Sequence, residues 1–189
     1  MINLGDFIDL KKVLHIGKVA IFQLRLKKYS LKQKIVIGKK IQQICKKNNI
    51  KFIVNDDPIL SKTLNADGCH LGQKDMDIKN ARKIIGKKII GVTCHNSIKL
   101  AKAAIKENAD YIAFGAFFST KTKKVIFKAD IKILNKIKKL TKTPIVAIGG
   151  INFDNYKKLL LNNANLLAIS SYVWNNKKYK PLETIVKIK

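Results

Sequence analysis

The sequence predicts an α/β fold of the (β/α)8 TIM barrel class. Short apolar runs rich in β-branched and aromatic residues alternate with longer lysine-rich segments that carry apolar residues at helical spacing. Alternation of this kind builds repeated βαβ units around a buried parallel sheet. The residues able to do chemistry gather just after the apolar runs, where a barrel places its site. No G-x-G-x-x-G follows the first run, which counts against the doubly wound open sheet as the alternative.

The elements follow in order. Leu4–His15 reads as a helix, and Val19–Gln23 (VAIFQ) is the first visible strand. Helical spacing over Ile35–Lys47 leads to the strand Phe52–Val54. Asp57 before Pro58 reads as a helix cap with proline in the first turn, and Gly68–Leu71 is the next strand. The helix Ile78–Ile85 precedes the strand Ile89–Val92, and the helix Ser97–Glu107, capped by Asn96 or Ser97, precedes Tyr111–Phe114. Ile131–Leu140 leads to Ile145–Ile148, and Asn155–Leu161, with Asp154 as its expected cap, leads to Leu166–Ile169. Seven strands result, one short of eight. No linker divides the chain, so residues 1–189 are expected to form a single domain.

Composition narrows the function. A formal charge of +27 invites a nucleic-acid reading. However, Arg25 and Arg82 are the sole arginines, and bidentate reading of bases relies on arginine. The lysines are spread along every expected helix, so a specific nucleic-acid role is disfavoured. No run of eighteen apolar residues is present, and the amino terminus has no signal-peptide pattern, so no membrane association is expected. Cys45, Cys69 and Cys94 lack C-x-x-C spacing and suit a reducing, cytoplasmic setting. Zinc held by Cys69, His70, Cys94 and His95 is disfavoured, because adjacent Cys-His pairs are not the usual ligand spacing.

Five of the twelve acids, Asp56, Asp57, Asp67, Asp75 and Asp77, fall between positions 56 and 77. Carboxylates gathered at strand ends in so basic a chain suggest a held cation, and a cation suggests a phosphorylated ligand. Asp56 and Asp75 are the expected Mg²⁺ ligands, Asp57 a cap, and Asp67 and Asp77 ordinary surface acids. Arg25 and Lys27 alternate along the chain leaving the first strand, and Lys123 sits among Thr120 and Thr122, a set suited to a diphosphate. Gly149-Gly150 and Ser170-Ser171, after two successive strands, suit a separate phosphate held by backbone N–H groups. His70 and Gln73 remain open between ligand contact and packing or turn roles.

These segments together resemble the thiamine phosphate synthase family: Gln23-Leu24-Arg25-Leu26-Lys27, FIVNDD at 52–57, ADGCHLGQKD at 66–75, GVTCH at 91–95, STKTKK at 119–124, PIVAIGGI at 144–151 and AISS at 168–171. The resemblance implies a barrel enzyme, a transferase that joins hydroxymethylpyrimidine diphosphate to a thiazole phosphate, giving thiamine phosphate and diphosphate with Mg²⁺ as cofactor. It implies that Arg25, Lys27, Asn55, Thr93 and Lys123 hold the leaving diphosphate and that Asp56 and Asp75 hold the metal. Gln23 and His70 would lie near the pyrimidine, and Thr120, Thr122, Gly150, Ile169 and Ser170 around the thiazole phosphate. The chain departs from the family in four places. The family's first strand is missing before Leu4–His15; either the chain start is set too late, or another segment or the subunit of a homo-oligomer fills the gap. Leu26 stands where an acid is usual, Ala116 where proline is usual, and the segment between Lys124 and Ile131 is short. The alternatives are a related thiazole tautomerase, which places a catalytic histidine where this chain has Ala116, and a non-catalytic barrel that binds a phosphorylated ligand.

Overall fold

The computed structural model describes residues 4–119 and 128–188, in two compact units, Met1–Ile90 and Gly91–Lys189. The first unit begins with helix α1 (Leu4–His15), and among the described residues no strand precedes it. Strand β1 (Ile21–Leu24), helix α2 (Leu31–Lys47), strand β2 (Lys51–Asn55), helix α3 (Pro58–Thr63), strand β3 (Gly68–Leu71) and helix α4 (Ile78–Ile85) follow. Strand β4 (Ile89–Thr93) carries the chain into the second unit. There lie α5 (Ile98–Lys106), β5 (Tyr111–Phe114), α6 (Lys132–Lys138), β6 (Ile145–Ile148), α7 (Tyr156–Leu161), β7 (Leu166–Ala168), α8 (Ser171–Trp174) and α9 (Pro181–Lys187). The architecture is the expected α/β alternation with seven parallel strands.

Pairing is parallel and in chain order within each unit. In the first, β1 pairs with β2 and β2 with β3. In the second, β4 pairs with β5, β5 with β6 and β6 with β7. β3 and β5 are buried along their whole length, as a parallel sheet covered on both faces requires. Leu24, Phe52 and Val54 of the first unit pack with Ile41, Ile44 and Cys45 of α2 and with Leu10 and Leu14 of α1. Each such buried side chain contributes about 1.5–3 kcal/mol. In the second unit Ile112, Phe114, Leu134, Ile145, Tyr156 and Leu159 are the large buried groups.

Hydrogen bonding adjusts several expected boundaries. β1 lies further along than Val19–Gln23, because its register starts at Ile21 opposite Lys51 and Gly17 turns the chain before it with φ +72°. Helix α2 starts at Leu31 rather than Ile35. Ser30 accepts from Gln33 N while Gln33 Oε1 accepts from Ser30 N, a capping box that extends the helix beyond its apolar pattern. Asp57 caps α3 as expected, accepting from Leu60 N at 2.8 Å with Pro58 in the first turn. Of Asn96 and Ser97, Ser97 caps α5, and Asn96 instead accepts from Asp130 N.

Three expectations are corrected. Asp154 is not the cap of α7: Asn155 occupies that position, and its Oδ1 accepts from Asn152 N. Asp77 is no ordinary surface acid, for it caps α4 by accepting from Asn80 N, and this bond leads the causes that hold its carboxyl below the usual range. Asp67 is not one either. Its Oδ2 accepts from Phe52 N at 2.9 Å, while its own N–H donates to Phe52 O and its carbonyl accepts from Ile89 N. The Lys51–Asp67 ion pair at 3.6 Å is exposed and adds little beside these backbone bonds.

Candidate functional site

In the first unit the ends of β1 and β2 line a cavity of about 260 Å³. The segment just after β1 forms one wall. Leu24 is buried and Leu26 packs against the core, while Arg25 and Lys27 are exposed, and all four line the cavity. Asn55 at the end of β2 and Asp56 and Asp57 just after it line the same cavity, and Lys34 joins from α2. Lys34 is a residue the sequence reading missed, since one lysine among so many carries no distinguishing pattern. Gln23 Nε2 donates to Asn55 Oδ1 across the two strands.

Asp56 takes a left-handed conformation, φ +65°, which aspartate tolerates better than most residues, and its N–H donates to His70 O at 2.8 Å. Asp75 is held by the turn after β3: Gly72 N donates to Asp75 Oδ2 at 2.7 Å, and Asp75 N returns to Gly72 O at 3.2 Å. Burial raises the Asp56 carboxyl above its ordinary value. A hydrogen bond to the Asp75 carboxyl and the charge of Asp75 raise it further, against Lys27 and Arg25. The Asp75 charge that opposes ionisation of Asp56 is one that a divalent cation between them would offset. No cluster of three or more His, Cys, Asp or Glu ligands occurs among the described residues. Mg²⁺ in general takes one or two protein carboxylates and completes its shell with phosphate oxygens and water.

His70 lies buried in β3, and burial pulls its imidazole down to about 4, with Asp75 opposing. It is therefore neutral near pH 7 and offers hydrogen bonds rather than charge. Cys45, Cys69 and Cys94 are buried free thiols, each pushed up to about 12 chiefly by burial.

The second unit holds the glycine pair. Gly149 (φ +92°) and Gly150 (φ +67°) follow β6 and lie against the segment after β5. Phe117 N donates to Ile148 O and Phe118 N to Gly149 O. A Cβ on Gly149 would stand 2.3 Å from Ala116 Cβ, and one on Gly150 would stand 2.4 Å from Ser119 O. Asn155 Nδ2 donates to Gly150 O and anchors the loop. Ile169 is half-buried and Ser170 exposed at the start of α8, where Val173 N and Trp174 N donate to Ser170 O. Thr93 ends β4, half-buried. Thr120, Thr122 and Lys123 lie outside the described residues. Gln23, Arg25, Lys27, Asn55, Asp56, His70 and Asp75 thus fall in the first unit, and Thr93, Gly150, Ile169 and Ser170 in the second.

Comparison with known proteins gives consistent matches. A family model described as thiamine monophosphate synthase matches residues 5–173. A thiamine-phosphate synthase of Pelagibacter ubique is 65% identical over 188 residues, covering 100% of this chain and 90% of the relative. One of Clostridium tetani is 42% identical over 176 residues, covering 91% and 84%. Among solved structures, thiamine phosphate pyrophosphorylase from Pyrococcus furiosus superimposes with a TM-score of 0.85 at 30% identity, covering 96% of this chain and 86% of that one.

Proposed function

We propose, for a chain that belongs to the thiamine monophosphate synthase family and acts as a thiamine-phosphate synthase, that Asp56 and Asp75 hold Mg²⁺ beside a pyrimidine diphosphate. The observation that carries this is the Asp56 carboxyl, raised by burial and by its hydrogen bond to and the charge of Asp75, next to the cations Lys27 and Arg25. Arg25, Lys27 and Asn55 receive the leaving diphosphate, and Lys34 adds charge to the same cavity; the family resemblance adds Thr93 and Lys123 as diphosphate contacts. Gln23 and neutral His70 serve the pyrimidine end. Thr120, Thr122, Gly150, Ile169 and Ser170 receive the thiazole phosphate, with Gly150 presenting backbone rather than a side chain.

The bond between the pyrimidine methylene carbon and the diphosphate oxygen breaks with both electrons leaving on oxygen. The thiazole nitrogen lone pair then forms the new carbon–nitrogen bond at the resulting carbocation. Fixed cationic donors aimed at the departing oxygens stabilise the charge developing there, and they need no reorganisation to do so. A bound Mg²⁺, held by Asp56 and Asp75, would supply Lewis-acid neutralisation of the developing charge. No side-chain nucleophile is needed, in keeping with thiols that burial keeps protonated. Ala116 carries no titratable group where the tautomerase would place its histidine.

The reading extends to the whole chain. Residues 1–189 act as one synthase domain, supported by one family model over most of the length. The ligands are small molecules, and the buried free thiols suit a cytoplasmic setting. No described helix is long and apolar enough to cross a membrane. The test mixes the purified chain with both thiamine precursors and Mg²⁺ and measures thiamine phosphate with and without chelator. Product that requires the metal supports the reading, and product that forms equally well with chelator removes the metal assignment.

A further inference from the structure

The Gln23–Asn55 contact has a direction. Gln23 faces Ile53 in the β1–β2 register, so its side chain runs diagonally to reach Asn55 two residues further along β2. Its Nε2 donates and Asn55 Oδ1 accepts. An asparagine amide has one acceptor oxygen and two N–H donors. With the oxygen engaged by Gln23, Asn55 offers the cavity donors alone. Arg25, Lys27 and Lys34 line that cavity with donors as well. Rotation of the amide by half a turn would put its carbonyl oxygen among them, facing an anion with a second negative dipole.

We infer that Gln23 is a positioning residue that orients the Asn55 amide, so that its N–H groups face the diphosphate. This rests on the reading that the cavity holds diphosphate, and it assigns Gln23 a task besides proximity to the pyrimidine. Gln23 and Asn55 lie on neighbouring strands at half-buried positions, where packing restricts both side chains. The bond therefore fixes an orientation that backbone geometry alone leaves open.

The experiment measures inhibition of the full enzyme by inorganic diphosphate, competing with the pyrimidine diphosphate, in a double-mutant cycle. Asn55→Ala is expected to raise the inhibition constant about tenfold to a hundredfold, the loss of a hydrogen bond to a charged group. Gln23→Ala is expected to raise it several-fold in the parent and to change nothing further in the Asn55→Ala background. Gln23→Glu can only accept, so it draws the Asn55 N–H groups to itself and raises the constant more than Gln23→Ala does. Gln23→Met keeps the length without the donor and replaces the alanine variant if that one does not fold. An undiminished Gln23→Ala effect in the Asn55→Ala background overturns the inference, because Gln23 would then touch the ligand directly. No effect of Gln23→Ala beside a clear effect of Asn55→Ala overturns it too. No effect of Asn55→Ala overturns the diphosphate reading underneath.

Discussion

The two units present their candidate residues by different physical means. In the first, the cavity wall is made of side chains: Arg25, Lys27, Asn55 and Asp56 line it, and Asp75, which bonds Asp56, accepts from the Gly72 amide. In the second, the loop after β6 is made of backbone, and two left-handed glycines lie so close to the neighbouring segment that no side chain fits. A side-chain wall tunes charge and tolerates changes of shape at a cost in chemistry. A backbone loop tolerates changes of charge around it but no added atom.

The sharpest break of this comparison is at Asp56. Asp56→Ala is expected to lower metal-dependent turnover by about 10²-fold or more while leaving the fold intact, as steady-state rates and thermal melts would show. The sign of its titration explains the second half. The folded carboxyl lies above its unfolded value, so its stabilising contribution is fully present below the unfolded value and is lost as pH rises through the folded one. Once it ionises without metal, the group is therefore a burden. Asp56→Asn should melt at the same or a higher temperature in chelator, with the gain fading as pH falls through the carboxylate range.

Gly150→Ala should do the opposite. Its φ of +67° and a Cβ 2.4 Å from Ser119 O set it against backbone that cannot rotate away. A cost of about 1–3 kcal/mol is expected, with the KM for thiazole phosphate raised and diphosphate inhibition little changed. Equal effects on both ligands would erase the contrast between the units.

The thiols test a property the units share. Cys45, Cys69 and Cys94 are buried and pushed up to about 12, from an ordinary value near 9.0. Their stabilising contribution is complete below pH 9.0 and is lost as pH rises toward about 12. Native protein at pH 8 should therefore resist thiol reagents that label all three cysteines after denaturation. Fast labelling of the native state would show that one unit opens. The smallest effects belong to single supports: Asp67→Ala in the first unit and Ser97→Ala in the second should each cost about 1 kcal/mol in denaturant melts, leaving KM values unchanged.

Much of this was legible in order along the chain. β3, β5, β6 and α4 have the limits that apolar periodicity predicts, because a buried parallel strand and an amphipathic helix each write their pattern locally. Asp57 before Pro58 announced its cap, since a cap depends on residues three positions away. Asp67 was misread because its partners are Phe52 and Ile89, and Asp154 because Asn152 and Asn155 bond one another instead. Lys34 was invisible for want of contrast among the lysines.

By itself the sequence determined the α/β alternation, the family, and the identity of the residues carried at the strand ends. Periodicity and residue chemistry are properties of neighbours in the chain. Tertiary structure alone decided which of the five clustered acids meet, pairing Asp56 with Asp75 while Asp57 and Asp77 turn to helix ends and Asp67 to a strand. It also decided that Gln23 reaches Asn55, a partner 32 residues away. Such pairs depend on strand register, and register is set when buried faces pack against each other rather than by either strand's own sequence.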